Sequence, residues 1–178
     1  MSAGETFRSL EDVARRFDVS RETLARLRAF DALFVDRAQR MNLVAPATMP
    51  DRWTRHYADS AQLAEHVPAD ARTLLDFGSG AGFPGLVLAA LLAPRAVSVT
   101  LVESVGKKAA FLTAAAQAMD LPGIRVVNDR VENLSEPPPD IVTARAVAPL
   151  KRLLGYVEAL AGPRTLFVLP RDKMLRSN

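Results

Sequence analysis

Three observations predict an α/β fold with a mostly parallel sheet, helices on both faces and an N-terminal helical extension. The first is Asp76-Phe77-Gly78-Ser79-Gly80-Ala81-Gly82-Phe83-Pro84-Gly85, a glycine-rich turn between a short apolar run and an apolar helix. The second is the alternation of strand-like and helix-like segments from Arg72 onward, the mark of parallel βαβ units. The third is the switch near residue 70, upstream of which the apolar spacing is helical. Residues 1–70 are therefore read as a helical extension packed on a sheet domain of residues 71–178, and that domain is Rossmann-like.

The 178 residues suit one domain with such an extension, and an apolar content of 49% is enough for a sizeable core. There is no cysteine, which excludes disulfides and thiolate metal sites, and no metal site is expected. No apolar run reaches membrane-spanning length, and Met1-Ser2-Ala3-Gly4-Glu5 has neither the basic nor the apolar part of a secretory signal. A cytoplasmic protein with no membrane partner is expected. Residues 1–70 carry 10 Lys/Arg against 11 Asp/Glu, and residues 71–178 carry 13 against 9. This mild positive balance permits a nucleic-acid partner without demanding one.

Along the extension, Ser9 opens a short helix with Asp12 placed for a capping box. Ser20 caps a longer helix to about Arg40, on which Leu24, Leu27, Phe30, Phe34, Ala38 and Met41 step by three or four. Arg21, Arg26, Arg28, Arg37 and Arg40 fall mostly on its other faces, as a solvated surface or as an RNA-contacting one. Asn42–Pro46 reads as a loop, and a helix is expected from about Asp59 to His66. His56 and Asp59 lie within one turn and could hydrogen-bond. They read as an anchor between the helices and the sheet, or as an acid–base pair that lacks a nucleophile. His66 is expected at the surface.

In the sheet domain, strand one is Thr73-Leu74-Leu75 ending at Asp76, followed by the glycine turn and the helix of Leu86–Leu92, with Pro84 near its first turn. Strand two, Val97–Val102, ends in Glu103, about 20 residues past the glycines, where an acid can hold both ribose hydroxyls of a nucleoside cofactor. Lys107 and Lys108 open the next helix, to about Met119; cations oppose the dipole there, which hints at phosphate contact. Strand three is Ile124–Asn128. The loop after it, Asp129-Arg130-Val131-Glu132-Asn133, is expected over the nucleobase, with Val131 offering an apolar contact. Glu136–Asp140 is too proline-rich for a helix. Strand four, Ile141–Ala144, ends in Arg145, a planar fork for carboxylate or phosphate, or else a salt-bridge partner of Glu132 or Asp76. A helix from Pro149 to Leu160 and strand five, Thr165–Leu169, complete the pattern.

The glycine spacing serves more than one reading. Gly80, Gly82 and Gly85 satisfy G-x-G-x-x-G, a dinucleotide fingerprint that would imply a nicotinamide-dependent oxidoreductase. Gly78, Gly80 and Gly82 behind Asp76 satisfy D-x-G-x-G-x-G, which resembles motif I of S-adenosylmethionine methyltransferases. Asp76 favours the second, since a carboxylate can face a cationic methionine end but sits badly beside a pyrophosphate. A tight structural turn is the bland alternative.

The chain resembles the bacterial small-subunit ribosomal RNA methyltransferase G family, also called glucose-inhibited division protein B. The matching stretches are Asn42-Leu43, Arg55-His56 with Asp59-Ser60, Asp76 through Gly85, Gly106-Lys107-Lys108 with Phe111-Leu112, Arg130-Val131-Glu132 and Arg145-Ala146-Val147-Ala148. The resemblance implies a class I methyltransferase sheet and S-adenosylmethionine-dependent methylation of guanine N7 (G527, in the 530 loop of 16S rRNA). It implies a 16S rRNA partner, taken within the 30S subunit; the oligomeric state is not given by the sequence, and a monomer is assumed. Guanine N7 carries no proton, so no general base is expected. Gly78, Phe83, Val131, Glu132 and Arg145 would be cofactor-binding positions, joined on the residue reading by Asp76, Gly80, Gly82 and Glu103. Arg145, Arg130, Lys107 and Lys108 are the candidates for RNA contact. Glu103 stands where the family often has Asp, and Pro170-Arg171 where it usually has Lys-Gly. A C-terminal truncation that removes the terminal antiparallel strands, leaving strand five an edge of lowered stability, is expected. A non-catalytic relative that keeps the cofactor cradle is the alternative this raises.

Overall fold

The computed structural model describes residues 6–144, 155 and 160–169. Five parallel strands form one sheet in the order β3-β2-β1-β4-β5. They are β1 (Thr73–Phe77), β2 (Ser98–Val102), β3 (Ile124–Val127), β4 (Ile141–Ala144) and β5 (Leu166–Phe167). The chain winds outward from β1 to β3, then returns to place β4 on the other side of β1. That reversal opens a crevice between the carboxyl ends of β1 and β4, where open α/β sheets bind ligands.

Period-two alternation assigns the strand residues to two cores. Leu74, Val99, Leu101 and Ile141 join a large core with helices α1 (Leu10–Arg16), α2 (Arg21–Met41), α4 (Gly85–Leu92) and α5 (Gly106–Ala118). Leu75, Phe77, Val102, Val142 and Ala144 join a smaller one with Val131 and Leu160. The helix predicted over 149–160 falls almost wholly outside the described residues.

The predicted stepping along α2 is observed: Leu27, Phe30, Phe34 and Ala38 are buried, Leu24 and Met41 half-buried. Ser20 accepts from Thr23 N at its start, and Asn42 closes it in a left-handed conformation. At α1, Ser9 accepts from Asp12 N as expected. Asp12 Oδ2, however, accepts from Arg8 N rather than from the cap residue, so the reciprocal half of the box closes one residue early.

Three predicted boundaries move. The helix expected from Asp59 starts at Trp53 as a π-helix over Trp53–Ala58, then tightens through α3 (Asp59–Ala61) into a 3₁₀ turn, Gln62–His66. Its wide opening turn seats the buried His56 and Tyr57 against the glycine turn, a tertiary demand with no local sequence signal. Helix α4 begins at Gly85, one residue before the predicted Leu86, with Pro84 as its cap residue after a cis Phe83–Pro84 bond. Strand five pairs only through Leu166 and Phe167, because β4 offers Ile141 and Val142 as its partners. His66 is exposed, as predicted. Among the described residues, no helix is long and apolar enough to cross a membrane.

Candidate active site

Four consecutive buried residues carry β1 to the sheet's carboxyl end, where the chain must turn into α4. Gly78, Gly80 and Gly82 make that turn with φ of 65°, 52° and 90°, a left-handed region that side chains disfavour. Gly78 N and Ser79 N both donate to Val102 O, at 2.8 and 3.1 Å, so the turn is tied to the end of β2. Ser79 Oγ donates to Asp76 O at 2.7 Å, and Gly82 N to Ser79 O at 2.7 Å.

Glu103 links the strand tips. Its Oε2 accepts from Gly80 N at 2.9 Å and its Oε1 from Val105 N at 2.8 Å. Asn128, just past β3, donates through Nδ2 to Glu103 O at 2.8 Å. One carboxylate and one amide thus join the turns after β1, β2 and β3. Glu103 is 6% exposed, so its charge is held by these N–H donors with little water.

Asp76 is fully buried on the α4 side of the sheet, with Thr143 as its register partner on β4, also fully buried. A Cβ on Gly85 would sit 2.5 Å from Asp76 Oδ2 and 2.5 Å from Leu101 Cδ2. Only glycine lets α4 start that close above the carboxylate. Asp76 therefore lies beneath the turn, screened by backbone.

Phe83 was expected at the cofactor. Its side chain enters a collar of Phe30, Phe34, His56 and Tyr57, with ring centroids 5.1, 5.2, 5.1 and 5.0 Å away. His56 stacks on Phe83 at 27° and lies 3.1 Å through Nε2 from Thr48 Oγ1, which makes it an anchor between the helical segment and the turn. Tyr57 donates to Asp31 Oδ1 at 3.1 Å. Burial first, and then the Asp31 charge, pushes the Tyr57 hydroxyl well above its ordinary pKa.

At the rim, Lys107, Arg130 and Glu132 are exposed and Lys108 is half-buried, the lysines at the start of α5 and the others beyond β3. Val131 is buried in the smaller core at the head of a 3₁₀ turn, Val131–Asn133. Asp129 accepts from Asn133 Nδ2 and Arg130 N, both at 2.7 Å, and these bonds hold its carboxyl below the usual range. Arg145 lies outside the described residues. Asn128, Ser79 and the collar were not singled out as site residues. Phe30 and Phe34 read as the apolar face of the long helix, and no local pattern ties Tyr57 to them. Among the described residues, no group of three His, Cys, Asp or Glu side chains could hold a metal ion.

The family model described as rRNA small subunit methyltransferase G matches residues 23–178. The chain belongs to the rRNA small subunit methyltransferase G family. Relatives of that name agree: the protein of Paramagnetospirillum magneticum is 50% identical over 146 residues, covering 82% of this chain and 69% of its own. That of Rhodospirillum centenum is 46% identical over 162 residues, covering 91% and 73%. Two solved methyltransferases share the fold of this chain. One, from Thiobacillus denitrificans in complex with S-adenosyl-L-homocysteine, has a TM-score of 0.54 at 15% identity over 76% of this chain and 52% of that one. The other, coclaurine N-methyltransferase, has a TM-score of 0.54 at 14% identity over 89% and 56%. The sheet is that of a class I methyltransferase, as the family resemblance implied.

Proposed function

We propose that this protein transfers a methyl group from S-adenosylmethionine to N7 of a guanine in 16S rRNA, at G527 of the 530 loop, within the 30S particle in the cytoplasm. Residues 1–70 act as a helical extension and residues 71–178 as the cofactor-binding unit. The observation that carries the reading is the clamp at the strand tips, where the Glu103 carboxylate closes on Gly80 N beside a turn of bare backbone. S-adenosylmethionine, when bound, supplies an electrophilic methyl group on a sulfonium.

The residues present fit such a donor. A Cβ at Gly80 would meet nothing nearer than Gly78 O at 3.6 Å, so the main chain there can lie flat against a ligand. Each Glu103 oxygen keeps acceptor capacity beyond its backbone bond, enough for two ribose hydroxyls. Gly78, Gly80, Gly82 and the Phe83 main chain would hold the methionine end, with Asp76 supplying charge from beneath. Val131 and Glu132 would meet the nucleobase, and Arg145 the carboxylate or the RNA. Arg130, Lys107 and Lys108 stand at the rim for RNA phosphate.

Guanine N7 presents a lone pair and no proton. No general base is needed, and the chain's task is to hold acceptor and methyl carbon in line at near-attack distance. Calorimetric titration of the protein with S-adenosylmethionine and with NAD separates this reading from a dinucleotide enzyme. Methyl incorporation into 30S particles and into free 16S rRNA, with mapping of the modified atom, tests the rest. Binding of NAD alone, or a methyl group on any other atom, overturns the reading.

A further inference from the structure

The helical segment grips the glycine turn at one residue. Phe83, 4% exposed, is ringed by Phe30 and Phe34 of α2 and by His56 and Tyr57 of the π-helix. The contacts differ in geometry: His56 stacks, whereas Phe34 and Tyr57 present edges at 82° and 80°. Edge-to-face and stacked contacts together leave a ring little freedom to tilt or slide. The grip extends to the next turn residue, since a Cβ on Gly82 would lie 3.1 Å from Phe30 Cζ.

The π-helix explains how adjacent residues both reach Phe83. A wider turn rotates successive side chains by less than the about 100° of an α-helix. His56 and Tyr57 therefore both face Phe83. The outer side of the collar is pinned as well. Tyr57 donates to Asp31 at 3.1 Å, Arg52 Nε donates to the same oxygen at 3.0 Å, and the Arg52 guanidinium lies 4.0 Å over the Trp53 ring. Trp53 in turn packs on Tyr57 at 5.1 Å. Thr48 meets His56 from the other side at 3.1 Å.

We infer that this collar is a positioning device: His56 and Tyr57 act through Phe83 to set the backbone of the glycine turn, so the N-terminal helices tune cofactor affinity without touching the cofactor. The inference rests on the reading of that turn as the S-adenosylmethionine cradle. A turn held by hydrogen bonds on its Glu103 side and by rings on its Phe83 side cannot shift without breaking one set. Displacements near an ångström at a binding turn cost up to about a hundredfold in function.

The test is steady-state methylation of 30S particles together with calorimetric titration of S-adenosylmethionine. Tyr57→Leu removes the ring and should raise Kd and KM for S-adenosylmethionine about tenfold, with kcat held within about twofold. Tyr57→Phe keeps the ring and should restore affinity to within about threefold of wild type. A purely structural role would instead lower the fraction of folded enzyme, reducing apparent kcat with KM unchanged, and that pattern overturns the inference. Thr48→Val removes the contact to His56 Nε2, together with the 2.7 Å bond from Thr48 Oγ1 to Ala45 O, and should raise Kd about threefold by loosening the His56 ring. If Tyr57→Leu does not fold, this variant decides alone, and an unchanged Kd refutes the collar's role. Failure of the wild-type protein to bind S-adenosylmethionine strikes the parent reading instead.

Discussion

The two faces of the sheet differ in what they rest against. On one, Leu74, Val99, Leu101 and Ile141 meet α1, α2, α4 and α5, together with the aromatic collar. On the other, among the described residues, Leu75, Phe77, Val102, Val142 and Ala144 meet Val131 and Leu160, with Val127, Leu134 and Phe167 partly buried at the margin. The glycine turn leaves β1 toward the crowded face and is braced there from behind. The exposed Arg130 and Glu132 follow β3 on residues that flank the lean core. Among the described residues, packing is thus denser under the turn than beside β3.

The sharpest way to break this comparison is Phe30→Ala, which empties a fully buried ring beneath the turn. It should cost about 3–5 kcal/mol, read as a fall in the chemical-unfolding midpoint. A loss under about 1 kcal/mol would mean that the crowded face is not the stabilising one. Neighbours on one strand sharpen it further. Leu74→Ala and Leu75→Ala delete the same side chain, from positions 1% and 4% exposed on opposite faces. Both should fall within about 2–5 kcal/mol, with Leu74 the costlier because its surroundings can collapse less. Equal or reversed losses would remove the distinction.

Glu103→Gln moves the probe from the core to the tips. An amide can accept one backbone N–H but opposes the other donor, so stability should drop by about 1–3 kcal/mol. S-adenosylmethionine affinity should fall about tenfold, the cost of a misaligned cradle. A variant that loses stability but keeps affinity would take Glu103 out of the cofactor site.

The smallest effect lies at the opposite end of the sheet. Asp140 Oδ2 accepts from Arg72 N at 2.8 Å and Thr73 N at 3.0 Å, and these bonds hold its carboxyl below the usual value of about 3.9. A depressed folded pKa stabilises the protein above the unfolded value, and that stability is lost as pH falls through the folded one. The melting difference between wild type and Asp140→Asn should therefore be open at about pH 6 and narrow on acidification below about pH 4. Asp140 is only half-buried, and solvent screens it, so the difference is small throughout. A constant gap across this range would assign the contact no role in the pH response.

Much of this was legible in the chain. Runs such as Leu74-Leu75 and Val99 to Val102, bounded by glycine and charge, can only be buried strands between helices. The steps from Leu27 to Ala38 can only be one face of a helix. The spacing from the glycines to Glu103 placed the carboxylate at the turn, where it bonds Gly80 N. Other features were hidden because they arise from residues far apart. Nothing near Trp53 signals a π-helix, and nothing in Phe83-Pro84-Gly85 says which way the ring points. Asn128 looks like any strand-end polar residue until β3 is laid beside β2.

By itself, the sequence determined the alternation of strands and helices, the glycine turn and an acid at the end of strand two. These follow from local patterns of burial and backbone freedom, which neighbouring residues can encode. Tertiary structure alone decided that Asp76 lies beneath Gly85 and that Phe83 faces the helical segment. It also decided that Glu103 and Asn128 join three strand tips. Those choices depend on which surfaces meet once the chain is packed, and packing is a property of contacts many residues apart.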